Sequence, residues 1–139
     1  MHMVRTRPFN LARDLDAFFL AAGRGANAPA GTWMPRVDIY EVDSTLNIRY
    51  ELAGFSADDL EVTLEDGLLK VSGFRSFDMP EGAGFHRKEL SRGKFSRTLR
   101  VTDAYDAESV NASFADGLLD VTLKKRPEVL PKTIEIDAR

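Results

Sequence analysis

The fold class that this sequence predicts is all-β, a sandwich of two antiparallel sheets, and two stretches predict it. In the stretch 110–123, V-N-A-S-F-A-D-G-L-L-D-V-T-L, apolar side chains fall on alternate positions: Val110, Ala112 and Phe114, then Leu119, Val121 and Leu123, with Asp116-Gly117 between the runs. Period two around an Asp-Gly pair reads as a β-hairpin with one buried face, because glycine accepts the positive φ of a tight turn. Earlier in the chain Leu60, Val62 and Leu64, then Asp66-Gly67, then Leu69 and Val71 repeat the pattern, and both copies contain D-G-L-L. Two hairpins that are each apolar on one side become stable by burying those sides against a common core.

Taken in order, the chain opens with a segment unlike the rest. From Asn10 onward Leu11, Leu15, Phe18, Phe19 and Ala22 recur at helical spacing, with Asn10 placed to cap the start and Gly23 the end. A helix of about twelve residues is marginal alone. Its stripe either packs on its own domain or a neighbouring copy, or serves as an arm that offers Phe9, Leu11, Leu15, Phe18 and Phe19 to non-native proteins; the two roles are compatible. The stretch from Gly23 to Gly31, rich in Ala and Gly with Pro29, reads as a linker. The expected organisation is therefore an arm over 1–32, a β domain over 33–125 and an extension over 126–139.

Val37 to Val42 reads as a strand and Asp43-Ser44 as a turn. Leu46, Ile48, Tyr50 and Leu52 line one face of the next strand, while Asn47, Arg49 and Glu51 face out. Ala53 to Asp59, with Gly54 and Ser56, is long enough to cross from one sheet to the other before the hairpin from Leu60 to Ser72. Gly73 to Gly93 breaks the rhythm with Pro80, Gly82, Gly84 and then F-H-R-K-E-L at 85–90. A loop of that length inside a compact domain is usually functional. Beyond it Phe95, Leu99 and Val101 alternate with polar residues, but Arg97 shares their parity. A guanidinium on the apolar side needs an acidic partner or an interface, unless it snorkels at the end of the sheet.

Composition narrows the function. With 139 residues and 43% apolar side chains the chain suits one domain with tails. A net charge of −3 with interspersed signs argues against nucleic acid as a partner. No cysteine is present, which excludes disulfides and thiolate chemistry and is compatible with a cytoplasmic location. The longest early apolar run, Ala17 to Ala22, is too short to cross a bilayer and follows Asp14 and Asp16, so neither membrane insertion nor a convincing signal peptide is expected.

Catalysis finds little support. There is no G-x-x-x-x-G-K-[ST] loop to cradle phosphate, and His2 and His86 are too few and too far apart to suggest a metal site. Asp58-Asp59 and Asp103 with Asp106 stand beside turn starts, where aspartate serves backbone bonding. No enzyme activity and no cofactor are expected.

Four segments together resemble the α-crystallin domain of small heat shock proteins, the Hsp20 family, in its bacterial and plant branch. They are W-M-P-R-V-D-I-Y-E at 33–41, Leu52-Ala53-Gly54-Phe55 followed by Asp59-Leu60, F-H-R-K-E-L-S-R-G-K-F-S-R-T-L-R at 85–100, and A-S-F-A-D-G-L-L at 112–119. The resemblance covers about residues 33–125, and the tail extends it. It implies an immunoglobulin-like β-sandwich acting as an ATP-independent holdase, which binds partly unfolded clients until ATP-dependent chaperones refold them. It also implies a homodimer in which Phe85, His86, Arg87, Lys88, Glu89 and Leu90 form an exchanged strand, with Arg97 at the subunit contact. A mostly charged strand suits such an exchange, because an exposed edge needs a partner or a deterrent. The Ile134-Glu135-Ile136 tail is similar to the family's Ile-x-Ile motif, which docks in an apolar groove of a neighbouring domain. Here that groove would lie between the strands carrying Leu60, Val62 and Leu64 and those carrying Leu119, Val121 and Leu123. The other reading of the tail is a final strand of its own sheet.

The sequence departs from the family at Leu52-Ala53-Gly54, where many members have Leu-Pro-Gly, and at Val101-Thr102, where they have Leu-Pro; both bear on turn geometry. The short arm points to a dimer or a small higher oligomer. Two other classes stand beside the holdase. One is a co-chaperone adaptor with a related sandwich that docks on a folded chaperone; such adaptors lack the long 73–93 insertion and the Ile-x-Ile tail. The other is a structural immunoglobulin-like module.

Overall fold

A computed structural model describes residues 33–138. The expected helix between Asn10 and Gly23 lies outside them. In chain order the strands are β1 (Val37–Val42), β2 (Thr45–Glu51), β3 (Leu60–Glu65), β4 (Leu68–Arg75), β5 (Gly93–Arg100), β6 (Asn111–Ala115) and β7 (Leu118–Lys124). They form two sheets, one four-stranded in the order β1-β2-β7-β6 and one three-stranded in the order β3-β4-β5, with every pair antiparallel. The fold is the all-β sandwich that the alternating runs predict.

Side-chain parity builds the core. Leu46, Ile48 and Tyr50 of β2, Leu69 and Val71 of β4, Phe95 and Leu99 of β5 and the inward residues of β7 are all buried, while their neighbours in sequence face out. Asp43-Ser44, Asp66-Gly67 and Asp116-Gly117 each place two successive residues at positive φ. That is the two-residue turn whose twist matches the strands it joins.

The segment after Leu52 carries the chain between the sheets, with a 3-10 turn at Ala57–Asp59, and the segment after Val101 carries it back, with another at Ala107–Ser109. Leu52, Phe55, Val101 and Tyr105 bury their side chains in these crossings. Both positions where family members carry Leu-Pro are used alike: Leu52 N donates to Gly117 O and Val101 N to Gly67 O, each at 2.7 Å. Trp33 closes the free side of β5. Its amide donates to Lys94 O at 3.3 Å, its indole Nε1 to Gly93 O at 3.2 Å, and its ring lies 5.3 Å from that of Phe95.

Two expectations need adjustment. The first run of the 110–123 hairpin is less buried than its alternation implies: Val110 is 39% exposed, Ala112 is exposed and Phe114 is half-buried. The cause is topological, since β6 is an outer strand of its sheet. The break expected over 73–93 is narrower, because β4 continues to Arg75 and β5 starts at Gly93, leaving 76–92 as a loop.

Candidate functional site

The 76–92 loop carries the residues expected to exchange between subunits. Phe85, His86, Arg87, Lys88, Glu89 and Leu90 form no strand within the single chain, and all six are exposed. Arg87 Nη1 reaches Glu89 Oε1 at 3.3 Å, an ion pair that is open to water and worth little. Phe85 is 48% and Leu90 66% exposed, two large apolar side chains on an otherwise polar segment.

Arg97 points inward, as its parity requires, but its partner is not an acid. Nη1 donates to Pro35 O at 2.6 Å, which ties the start of the domain to β5. Burial lowers the affinity of its guanidinium for the proton, and the neighbouring Tyr50 works in the opposite direction. Arg97 Nε and the Tyr50 hydroxyl are both buried without a hydrogen bond. For Tyr50, burial pushes the hydroxyl above its ordinary value, with the charge of Arg97 opposing the shift. Sequence parity identified Arg97 as unusual; it could not identify a backbone carbonyl as the partner.

The tail beyond β7 leaves the sandwich through a fixed root. Lys125 N donates to Ser44 O and Arg126 N to Ala104 O, both at 2.8 Å. Lys125 Nζ lies 2.9 Å from Glu41 Oε1, and the Tyr105 hydroxyl donates to Glu41 Oε2 at 2.6 Å. Burial works to raise the Glu41 carboxyl, but those two partners outweigh it and hold the carboxyl below its ordinary value. After a 3-10 turn at Pro127–Val129 the tail forms no strand, and Ile134 and Ile136 are 83% and 92% exposed. The tail is therefore not a final strand of its own sheet.

The expected tail groove needs a correction. Leu60, Val62 and Leu64 are half-buried along β3, an outer strand of the three-stranded sheet. Leu119, Val121 and Leu123 are 3%, 0% and 0% exposed, and β7 lies between β2 and β6. They belong to the core and do not line an open groove. The outer strand next to β7 is β6, whose half-buried apolar residue is Phe114. Topology alone distinguishes the two limbs of this hairpin, which share the same alternation. The arm residues Phe9, Leu11, Leu15, Phe18 and Phe19 lie outside the described residues.

Two of the acidic residues singled out in the sequence, Asp59 and Asp106, serve turns. Asp59 Oδ2 accepts from Ser56 N at 3.0 Å and Ser56 Oγ at 2.8 Å, and Asp106 Oδ1 accepts from Glu108 N at 3.0 Å. Among the described residues there is no cluster of His, Cys, Asp and Glu able to hold a metal ion, and no helix long and apolar enough to cross a membrane.

Known proteins share this arrangement. A family model described as Hsp20/alpha crystallin family matches residues 38–137. Spore protein SP21 of Stigmatella aurantiaca is 34% identical over 105 residues, which are 75% of this chain and 62% of that protein; the chain thus spans less than two thirds of that relative. The 17.6 kDa class I heat shock protein 3 of Arabidopsis thaliana is 35% identical over 135 residues, 89% of this chain and 86% of that protein. Among solved structures, a small heat-shock protein from Xylella fastidiosa is similar with a TM-score of 0.64 at 31% identity, over 76% of this chain and 98% of that one. The chain belongs to the Hsp20/alpha crystallin family, a membership that supports a non-enzymatic function of the chaperone type.

Proposed function

We propose that this protein is an ATP-independent holdase: it binds partly unfolded proteins in the cytoplasm, keeps them from aggregating, and leaves their refolding to ATP-dependent chaperones. The observation that carries this reading is apolar surface outside a finished core. Phe85, Leu90, Ile134 and Ile136 stand exposed on the loop and the tail, although the sandwich already buries a continuous core without them. Segments outside the sheets that carry exposed apolar side chains are the form in which a chain adds to the edge of another. Family membership and the solved relative from Xylella fastidiosa, described as having a distinct high order structure, support an assembly built from such segments.

In this reading the loop residues 85–90 pair with a second copy to form the dimer, and Arg97 stiffens the adjacent wall. Ile134 and Ile136 dock on an apolar outer strand of another copy, a role supported for β3 by half-buried Leu60, Val62 and Leu64 and for β6 by half-buried Phe114. Burying two isoleucine side chains contributes on the order of 3 to 6 kcal/mol before the tail's ordering entropy is subtracted. The resulting bond is reversible, as a reservoir of client-binding subunits requires. The arm carrying Phe9, Leu11, Leu15, Phe18 and Phe19 would supply the client contacts.

The test is the turbidity of a heat-labile enzyme above its unfolding temperature, with this protein near equimolar ratio and no ATP. Suppression that saturates near stoichiometry, unmatched by an inert protein at equal mass, is the expected result. Failure to suppress, including after the protein itself has been warmed, would overturn the holdase reading in favour of an adaptor docking on a folded chaperone.

A further inference from the structure

Arg75 is the last residue of β4, where the 76–92 loop leaves the sandwich, and its guanidinium is shared between the two ends of that loop. Nε and Nη2 donate to Ser91 O, at 2.9 and 2.5 Å, just before β5 begins. Nη1 donates to Ala53 O at 2.8 Å, in the crossing between the sheets. The guanidinium carbon lies 4.3 Å from the centre of the Trp33 ring, 5.3 Å from that of Phe77 and 5.6 Å from that of Phe55.

The alternation of cation and ring continues outward. Arg92 lies 5.1 Å from the Phe77 ring centre and 5.2 Å from that of Phe85, and Lys88 Nζ lies 5.1 Å from Phe85. A row of Trp33, Arg75, Phe77, Arg92, Phe85 and Lys88 therefore runs from the sandwich toward the loop's exposed end. Among the described residues none of its three cations has a carboxylate at ion-pair distance. Only arginine suits the root of this row: its planar fork reaches two carbonyls edge-on while its faces remain free for aromatic rings.

The two ends of the row differ. At the root the contacts involve Trp33, which is bridged to β5, and the backbone carbonyls of Ala53 and Ser91 beside the ends of β2 and β5; at the tip Phe85 is 48% exposed, with the flexible side chains of Arg92 and Lys88 over its ring. The β4-β5 ladder already pairs Arg75 with Gly93, and the guanidinium bonds to Ser91 O carry that closure two residues into the loop, so less of it remains to be ordered in any later step.

We infer that Arg75 is a positioning residue for assembly: it clasps the neck of the 76–92 loop, so that residues 85–90 are offered to a second copy from a fixed root. When the tip transfers, Phe85 leaves Arg92 and Lys88 while the bonds of Arg75 stay in place. The inference rests on the proposed exchange of residues 85–90.

Sedimentation of the full chain over a dilution series tests it, with the wild type, a variant in which residues 83–90 are replaced by a Gly-Ser segment of equal length, Arg75→Ala and Arg75→Lys. Hydrogen exchange on the same proteins reports the loop and the strands separately. Replacing the tip should raise the dimer dissociation constant about 100-fold or more. Arg75→Ala should raise it about tenfold, with 77–92 exchanging faster and the amides of β2 and β7 protected as before. A tip replacement that leaves the dimer at wild-type strength overturns the exchange reading and this inference with it. Weakening by the tip replacement, combined with wild-type association of Arg75→Ala, overturns the clasp alone. Where Arg75→Ala loosens every strand, Arg75→Lys decides: with protected strands and a weaker dimer it supports the clasp, and with protected strands and wild-type association it refutes it.

Discussion

The two Asp-Gly hairpins, β3-β4 and β6-β7, begin alike and finish differently. Their turns have nearly the same backbone, with φ of 50° and 74° at Asp66-Gly67 and 53° and 75° at Asp116-Gly117. In each, the turn glycine's carbonyl accepts an amide from the chain leaving the neighbouring strand. In each, the second limb is an inner strand and the first an outer one. The outer limbs then diverge: β3 sets three half-buried aliphatics along its edge, whereas on β6 only Phe114 is half-buried and Ala112 is exposed. The inner limbs diverge at their ends, where β4 closes with Arg75 on carbonyls and rings, and β7 gives way to Lys125 in an ion pair with Glu41. Local sequence sets turn and parity; the position of a strand within its sheet sets how much of its apolar face remains for a partner.

The largest effects should fall on the matched inner positions. Leu69 and Leu119 are the second leucines of the two D-G-L-L motifs, and both are buried. Truncating either to alanine should cost about 2 to 5 kcal/mol through lost burial and the cavity left behind. Val62→Ala on outer β3 should cost less than about 1.5 kcal/mol, because much of its surface is already open. Urea unfolding at one protein concentration measures all three. A Val62 loss as large as that at Leu69 would break the distinction between inner and outer limbs.

The ends of the inner limbs predict a difference in pH response. The Glu41 carboxyl is held below its ordinary value by Tyr105 and Lys125 against the effect of burial. A depressed carboxyl contributes stability that is complete above the ordinary value of about 4.3 and is lost as pH falls through the lower folded value. The Arg75 clasp contains no group that titrates in that range. Acid should therefore release amides around Lys125 before those around Ser91, as followed by hydrogen exchange. Glu41→Gln should cost roughly 1.5 to 3 kcal/mol at neutral pH and flatten the acid limb of the stability curve. An acid limb unchanged by Glu41→Gln would remove the ion pair as the source of the contrast.

Much of this arrangement was legible in the sequence because period two needs only neighbouring residues. The alternation of Leu46, Ile48 and Tyr50, the two Asp-Gly turns and the sheet crossing after Leu52 all follow from local pattern, and the structure has them. The limbs of a hairpin, by contrast, carry the same alternation whether they lie inside a sheet or at its edge, so alternation assigns Leu119, Val121 and Leu123 to a buried face but does not tell that they are too deep to line the groove implied by the family resemblance. Glu41 shows a related limit: its parity on β1 is that of Val37 and Ile39, and only the approach of Tyr105 and Lys125 from distant segments explains a carboxylate there. Arg75 had no signal at all, since an arginine at a strand end looks like ordinary surface until Ala53 and Ser91 come together around it.

The smallest effect joins the two sheets across the core. Tyr50 is paired with Leu119 in one sheet and Arg97 with Val71 in the other, so each stands beside an inner limb of one hairpin. Arg97 has satisfied one nitrogen on Pro35 O, whereas the Tyr50 hydroxyl has no hydrogen-bond partner and is fully buried. Removing an unpaired buried hydroxyl while keeping the ring sheds a desolvation cost and little packing. Tyr50→Phe should therefore leave stability unchanged or raise it by up to about 1 kcal/mol, measured by the urea midpoint at constant slope. Arg97→Met should weaken the hold on Pro35, and faster exchange of the Trp33 amide would report it. A loss of more than about 1 kcal/mol in Tyr50→Phe would mean that the hydroxyl is satisfied in solution, and that the two sheets are bridged through a polar contact in addition to their apolar faces.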